Sequence, residues 1–142
     1  MSVFSLFFPK FKLWQIEKKN FQLTVDDKKR YEKWIRNIDL SSKETLINNI
    51  PWKLELLRSL PDLKSFQVEL INDISALYNL IRTKKDLNDF AQRRILFAFQ
   101  YFYEIEDEIP DKLPWVGYLD DAVVARWVMD SLIADHGKYF ET

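Results

Sequence analysis

The sequence predicts an all-α protein: a compact bundle of five or six helices preceded by an irregular, aromatic-rich N-terminal arm. Three observations carry that expectation. The 142 residues include only two glycines and five prolines, too few turn formers for a many-stranded sandwich or barrel. Apolar residues recur every three or four positions over most of the chain, the period of one helix face. There is no cysteine, which excludes disulfide scaffolds and thiolate-held metals and fits a reducing cytoplasm. A chain of this length buries roughly two-thirds of its unfolded surface, enough for a core without such staples.

Residues 1–23 read as the arm. Phe4, Leu6, Phe7, Phe8, Phe11, Leu13, Trp14 and Ile16 are too apolar to sit free in water, and no helical period orders them. The arm is expected to pack on the body or on a second copy. The alternative is peripheral membrane contact through residues 1–16, with Lys10 and Lys12 facing headgroups. Val3 to Phe8 is too short for a signal-peptide core, and no basic residue precedes it.

The helical domain spans 24–142. Thr24 and Asp27 form a capping-box pattern that opens a first helix, with Tyr31, Trp34, Ile35 and Ile38 on one face. Ser41 and Glu44 repeat the pattern and predict a short helix to about Asn49, carrying Leu46 and Ile50. Pro51 is expected to start a separate piece with Trp52, Leu56, Leu57 and Leu60 buried. From about Asp62 to Arg82, Leu63, Phe66, Leu70, Ile74, Leu77 and Ile81 make the clearest amphipathic stripe in the chain, widened by Ile71 and Tyr78. A further helix over about Asp86 to Tyr103 is expected to bury Leu87, Phe90, Ile95, Ala98, Phe99 and Phe102. The last begins near Leu119, turns Val123, Val124, Trp127, Val128, Ser131 and Leu132 to one side, and ends at Gly137, expected as its C-cap. The charged residues Asp120, Asp121, Arg126 and Asp130 keep this last apolar stretch from spanning a bilayer.

The net charge of −1 conceals polarity along the chain. Residues 1–40 sum to +4 and 41–103 to +2, while 104–142 hold ten acidic residues against three basic ones. An acidic C-terminal third argues against docking on nucleic acid and suits a cation or a basic partner surface. Arg93-Arg94 and Lys84-Lys85 read as solvated helix faces, without the aromatic and glycine motif of a nucleic-acid module.

The most distinctive segment reads Asp107-Glu108-Ile109-Pro110-Asp111-Lys112-Leu113-Pro114-Trp115-Val116-Gly117-Tyr118-Leu119-Asp120-Asp121. It resembles the signature of the YkvA-like family, a small bacterial helical domain of unknown function. The pattern Asp-x-Ile-Pro-Asp, two residues, Pro, two residues, Gly-Tyr-Leu-Asp-Asp matches in spacing throughout. With the flanking helices the resemblance covers about residues 72–135, and the first seventy residues fall outside it. It implies a helical fold but no reaction, cofactor or catalytic residue. Ile105 replaces the family's proline, and Glu106 and Glu108 replace apolar neighbours of the first aspartate. Several family members are membrane-associated, and the extra carboxylates argue against such a role for this loop.

Two accounts of the aspartates stay open. In the first, Pro110 and Pro114 set the chain direction and Gly117 takes a positive φ. Asp120 or Asp121 then accepts amide bonds in the first turn of the last helix. In the second, Asp107, Asp111, Asp120 and Asp121 form an oxygen-rich site for Mg²⁺ or Ca²⁺, or find an internal partner in Arg126. The single histidine, His136, stands at a helix end, where a cationic ring is favourable. Five tryptophans and eleven phenylalanines exceed what so small a core needs, so Phe7, Phe8, Trp14 and Trp115 are candidates for a partner surface. The function expected is a non-enzymatic helical interaction module: an adaptor, regulator or immunity-type inhibitor that binds a protein partner or a second copy. The alternative is a metal-dependent enzyme or metal-binding protein built on the aspartate cluster.

Overall fold

The computed structural model describes residues 23–104 and 118–137. Among them are five α-helices, a single 3₁₀ turn and no strand. The arm, with Phe7, Phe8 and Trp14, lies outside the described residues, as does the loop with Asp107, Asp111, Pro110, Pro114, Trp115 and Gly117.

Helix α1, Val25–Arg36, starts as its sequence dictates. Thr24 Oγ1 accepts the Asp27 amide at 3.0 Å, and Asp27 Oδ2 accepts the Thr24 amide at 3.1 Å. The second capping-box pattern does not form. Asp39 instead accepts the Ser41 amide at 2.9 Å and caps a 3₁₀ turn, Leu40–Ser42. Helix α2, Lys43–Arg58, follows without a side-chain cap at Ser42.

Pro51 does not divide this region as expected; it lies inside α2. Its ring faces solvent, so the proline needs no room in the core, although it offers no amide to the Ile47 carbonyl. Leu46, Ile47, Ile50, Leu54 and Leu57 form one unbroken buried stripe across the proline. That continuity rotates two expected core residues outward: Trp52 is 60% exposed and Leu56 42%.

Helix α3, Ser65–Thr83, begins three residues later than expected. Asp62 takes a left-handed φ of 54° in the preceding turn, a conformation Asp tolerates better than most side chains. Gln67 Oε1 accepts the Lys64 amide at 2.8 Å, half of a capping box that a lysine side chain cannot complete. The predicted stripe is buried at Leu70, Ile74, Leu77 and Ile81.

Helix α4, Asp89–Glu104, is capped by Asn88, whose Oδ1 accepts the Ala91 amide at 2.8 Å. It packs on all four other helices, so it is buried nearly all round, with every residue from Arg94 to Phe99 inside. Phe90, expected in the core, is half-exposed beneath the Arg94 guanidinium, 4.5 Å from the ring centroid. Helix α5, Leu119–His136, closes the bundle. Gly137 is right-handed, with φ −52°, so it does not supply the left-handed cap expected of it. His136 is the last residue of the helix.

Cross-helix contacts set the directions. Tyr31 meets Tyr101 while Arg93 Nε donates to the Ile38 carbonyl, so α1 runs antiparallel to α4. Lys43 meets Gln92 and Trp52 meets Tyr103, so α2 runs parallel to it. Asp120 meets Tyr101 and Asp135 meets Arg94, so α5 is antiparallel. One end of the bundle therefore gathers Leu23, Trp52, Tyr103 and Tyr118. The other gathers the starts of α2 and α4 and the end of α3.

Candidate functional site

Of the Asp107–Asp121 segment, residues 118–121 at the start of α5 are described. Tyr118, the N-cap of α5, has φ 74° and makes no side-chain cap bond. A bulky residue in the left-handed region is held there against steric cost. A positive φ is thus found at Tyr118, while Gly117, where the sequence reading placed one, lies outside the described residues. The Tyr118 ring is buried, 6.2 Å from that of Phe102 and 5.4 Å from the Lys53 ammonium, which also lies 5.9 Å from Phe102. Lys53 is only 3% exposed. Burying a lysine on two aromatic faces replaces part of its lost hydration with cation–π attraction.

Asp120 and Asp121 follow, each 3% exposed. They occupy the second and third helical positions, where the helix dipole favours negative charge. Asp120 Oδ2 accepts a hydrogen bond from the Tyr101 hydroxyl at 3.0 Å, and Tyr101 in turn accepts one from Tyr31 at 3.5 Å. A carboxylate at the end of two hydroxyls polarises both, which ties α1, α4 and α5 together through buried polar groups. Around it, Tyr31, Trp34, Phe97, Tyr101 and Trp127 form a continuous aromatic cluster, with the Trp34 indole donating to Gln100 at 2.8 Å.

Arg126 does not serve Asp120 or Asp121. It reaches α3, where its guanidinium holds both oxygens of Asp73, Nε to Oδ2 at 3.0 Å, and it also meets Asp130 at 3.3 Å. Asp73 is buried. Burial lifts its carboxyl above the ordinary value; half-exposed Arg126, shared with Asp130, pulls against that lift without cancelling it, and Glu69 and Asp130 add to it. Burial also works against the Arg126 charge, but its bond to Asp73 and the two nearby carboxylates outweigh this and hold its pKa high. Arg94, read from sequence as solvated, is buried and paired with Asp135 at 2.9 Å, and Arg93 is tied to the Ile38 carbonyl. Lys84 and Lys85 are exposed, as expected.

Of the four motif aspartates, the described structure therefore places Asp120 and Asp121 side by side. Among the described residues no three His, Cys, Asp or Glu side chains come together as a metal group would require, and Asp107 and Asp111 lie outside them. Sequence reasoning missed Lys53, Asp73 and Tyr101. The signal available for Lys53 was its spacing: it stands three residues after Ile50 and four before Leu57, on the buried stripe. No described helix is long and apolar enough to cross a membrane. No family model, curated protein or solved structure matches the chain.

Proposed function

We propose that this chain is a non-enzymatic helical interaction module that binds a protein partner at the Trp52 end of the bundle. The observation that carries the reading is the exposure of Trp52 and Leu56, one turn apart on α2, with Trp52 6.3 Å from the Tyr103 ring. Tryptophan is the side chain most enriched among residues that dominate binding energy, and a Trp–Leu pair on a rigid helix loses little entropy on docking. The polar groups of the YkvA-like segment support this reading from below. Asp120 is engaged by Tyr101 within the bundle, so this end of α5 acts as a rigid base for the aromatic surface. In this reading the resemblance to the YkvA-like family describes a shared scaffold.

Native mass spectrometry of the full chain recovered from its source cell tests the proposal. A stoichiometric protein partner or a second copy is expected with the wild type and absent from a Trp52→Glu/Leu56→Glu variant that retains its helical circular dichroism. A monomer without a partner, or a complex indifferent to the two substitutions, would contradict it.

A further inference from the structure

At the end of the bundle remote from Trp52, the start of α2, the end of α3 and the turn into α4 enclose a groove of about 440 Å³. Lys43, Arg82, Lys84 and Lys85 stand around it, with the side-chain amides of Asn48 and Gln92 between them. Glu44 is the sole carboxylate among the described residues that line it. Lys43 Nζ donates to Gln92 Oε1 at 3.1 Å, and the Arg82 guanidinium lies 5.1 Å from the Tyr78 ring centroid. Within the described residues none of the four cations is paired with a carboxylate, whereas Arg94 and Arg126 in the same body are each bound to one or more. Like charges around a concavity raise the local potential and concentrate anions there.

We propose that this groove binds a compact polyanion bearing two or more phosphate groups. Its volume lies in the small-molecule range. Three of the four cations are lysines, which bind phosphate as mobile point charges, and four cations around so small a groove suit the charge density of a compact phosphate ester. No aromatic side chain appears among the described lining residues, so a nucleobase has no surface on which to stack. The site is independent of the partner surface, since Lys43 and Trp52 are about 14 Å apart along α2 at 1.5 Å per residue.

Titration of the full chain with tripolyphosphate in about 50 mM salt, followed by calorimetry and by amide shifts, tests the proposal. Saturable binding is expected, with shifts confined to residues around 43–48 and 82–92. Lys84→Glu/Lys85→Glu, at two exposed positions, should weaken binding at least about tenfold. The same reversal at exposed Lys28 and Lys29 on α1 should leave it unchanged. Absence of binding, equal loss in both double variants, or equally tight binding of an oligoglutamate peptide would overturn the proposal. A parallel arm with phosphoinositide vesicles identifies the source. Co-sedimentation that Lys84→Glu/Lys85→Glu abolishes supports a lipid headgroup, and tripolyphosphate binding without co-sedimentation supports a soluble phosphate ester.

Discussion

Tyr101 is where the buried polar groups converge, and removing its hydroxyl exposes their worth. Tyr101→Phe leaves the ring in the aromatic cluster but removes one donor from the Asp120 carboxylate, at an expected cost of about 1–3 kcal/mol in urea unfolding. At Asp120 itself, Asn can still accept from Tyr101, so Asp120→Asn should lie closer to wild type than Asp120→Ala. Asn behaving no better than Ala would show that the charge itself, not the acceptor, is what the site needs. Asp73 gives a pH-dependent counterpart. Its folded pKa is raised, so its contribution to stability is fully present below the unfolded value of about 4 and is lost as pH rises through the folded value. The stability of wild type relative to Asp73→Asn should therefore fall as pH rises from about 4. A difference that grows with pH would contradict this. Arg126→Ala should cost roughly 2–4 kcal/mol at neutral pH, less than for a wholly enclosed pair because Arg126 is half-exposed, and less again in acid. Asp39 has the opposite sign: the Ser41 amide holds its carboxyl below the usual range, so what it adds to the 3₁₀ turn is lost as pH falls.

At the level of elements, Pro51 is the feature that local rules handle least well. A proline inside a helix removes one hydrogen bond and crowds the preceding turn, at about 3 kcal/mol, while stiffening the unfolded chain by up to about 1 kcal/mol. Pro51→Ala is therefore expected to raise the stability of the chain by roughly 1–2 kcal/mol; a lower melting temperature would show that the proline ring makes contacts that alanine cannot replace. The capping box at Thr24 was legible because both partners are local in sequence. The break expected at Pro51 fails because a buried stripe running from Leu46 to Leu57 overrides a local stop signal, and the Ser41–Glu44 box fails because Asp39 takes the Ser41 amide to cap a 3₁₀ turn. The phase error at Trp52 and Leu56 follows from the same cause: reading two pieces where there is one helix resets the register of its apolar face.

For the whole molecule, the stripes on α1, α3 and α5 were sufficient to specify an all-α bundle. They could not specify which helix is central. That depends on α4 being buried nearly all round, where a single-face reading placed Phe90 inside and omitted Ala91, Leu96, Phe97 and Tyr101. Nor could sequence pair Arg126 with Asp73, fifty-three positions apart, because long-range ion pairs leave no local signature. The assembled bundle has two chemically distinct ends, an aromatic one at Trp52, proposed above as the protein-binding end, and a basic one at Lys84 and Lys85. Site-specific photo-crosslinking from position 52 of the full chain, compared with position 68, tests that assignment most directly. Val68 is likewise an exposed apolar residue, 42% accessible, but lies on α3. A discrete crosslinked species at 52 and none at 68 is the predicted result, whereas no crosslink at 52, or the same products at both positions, would contradict it.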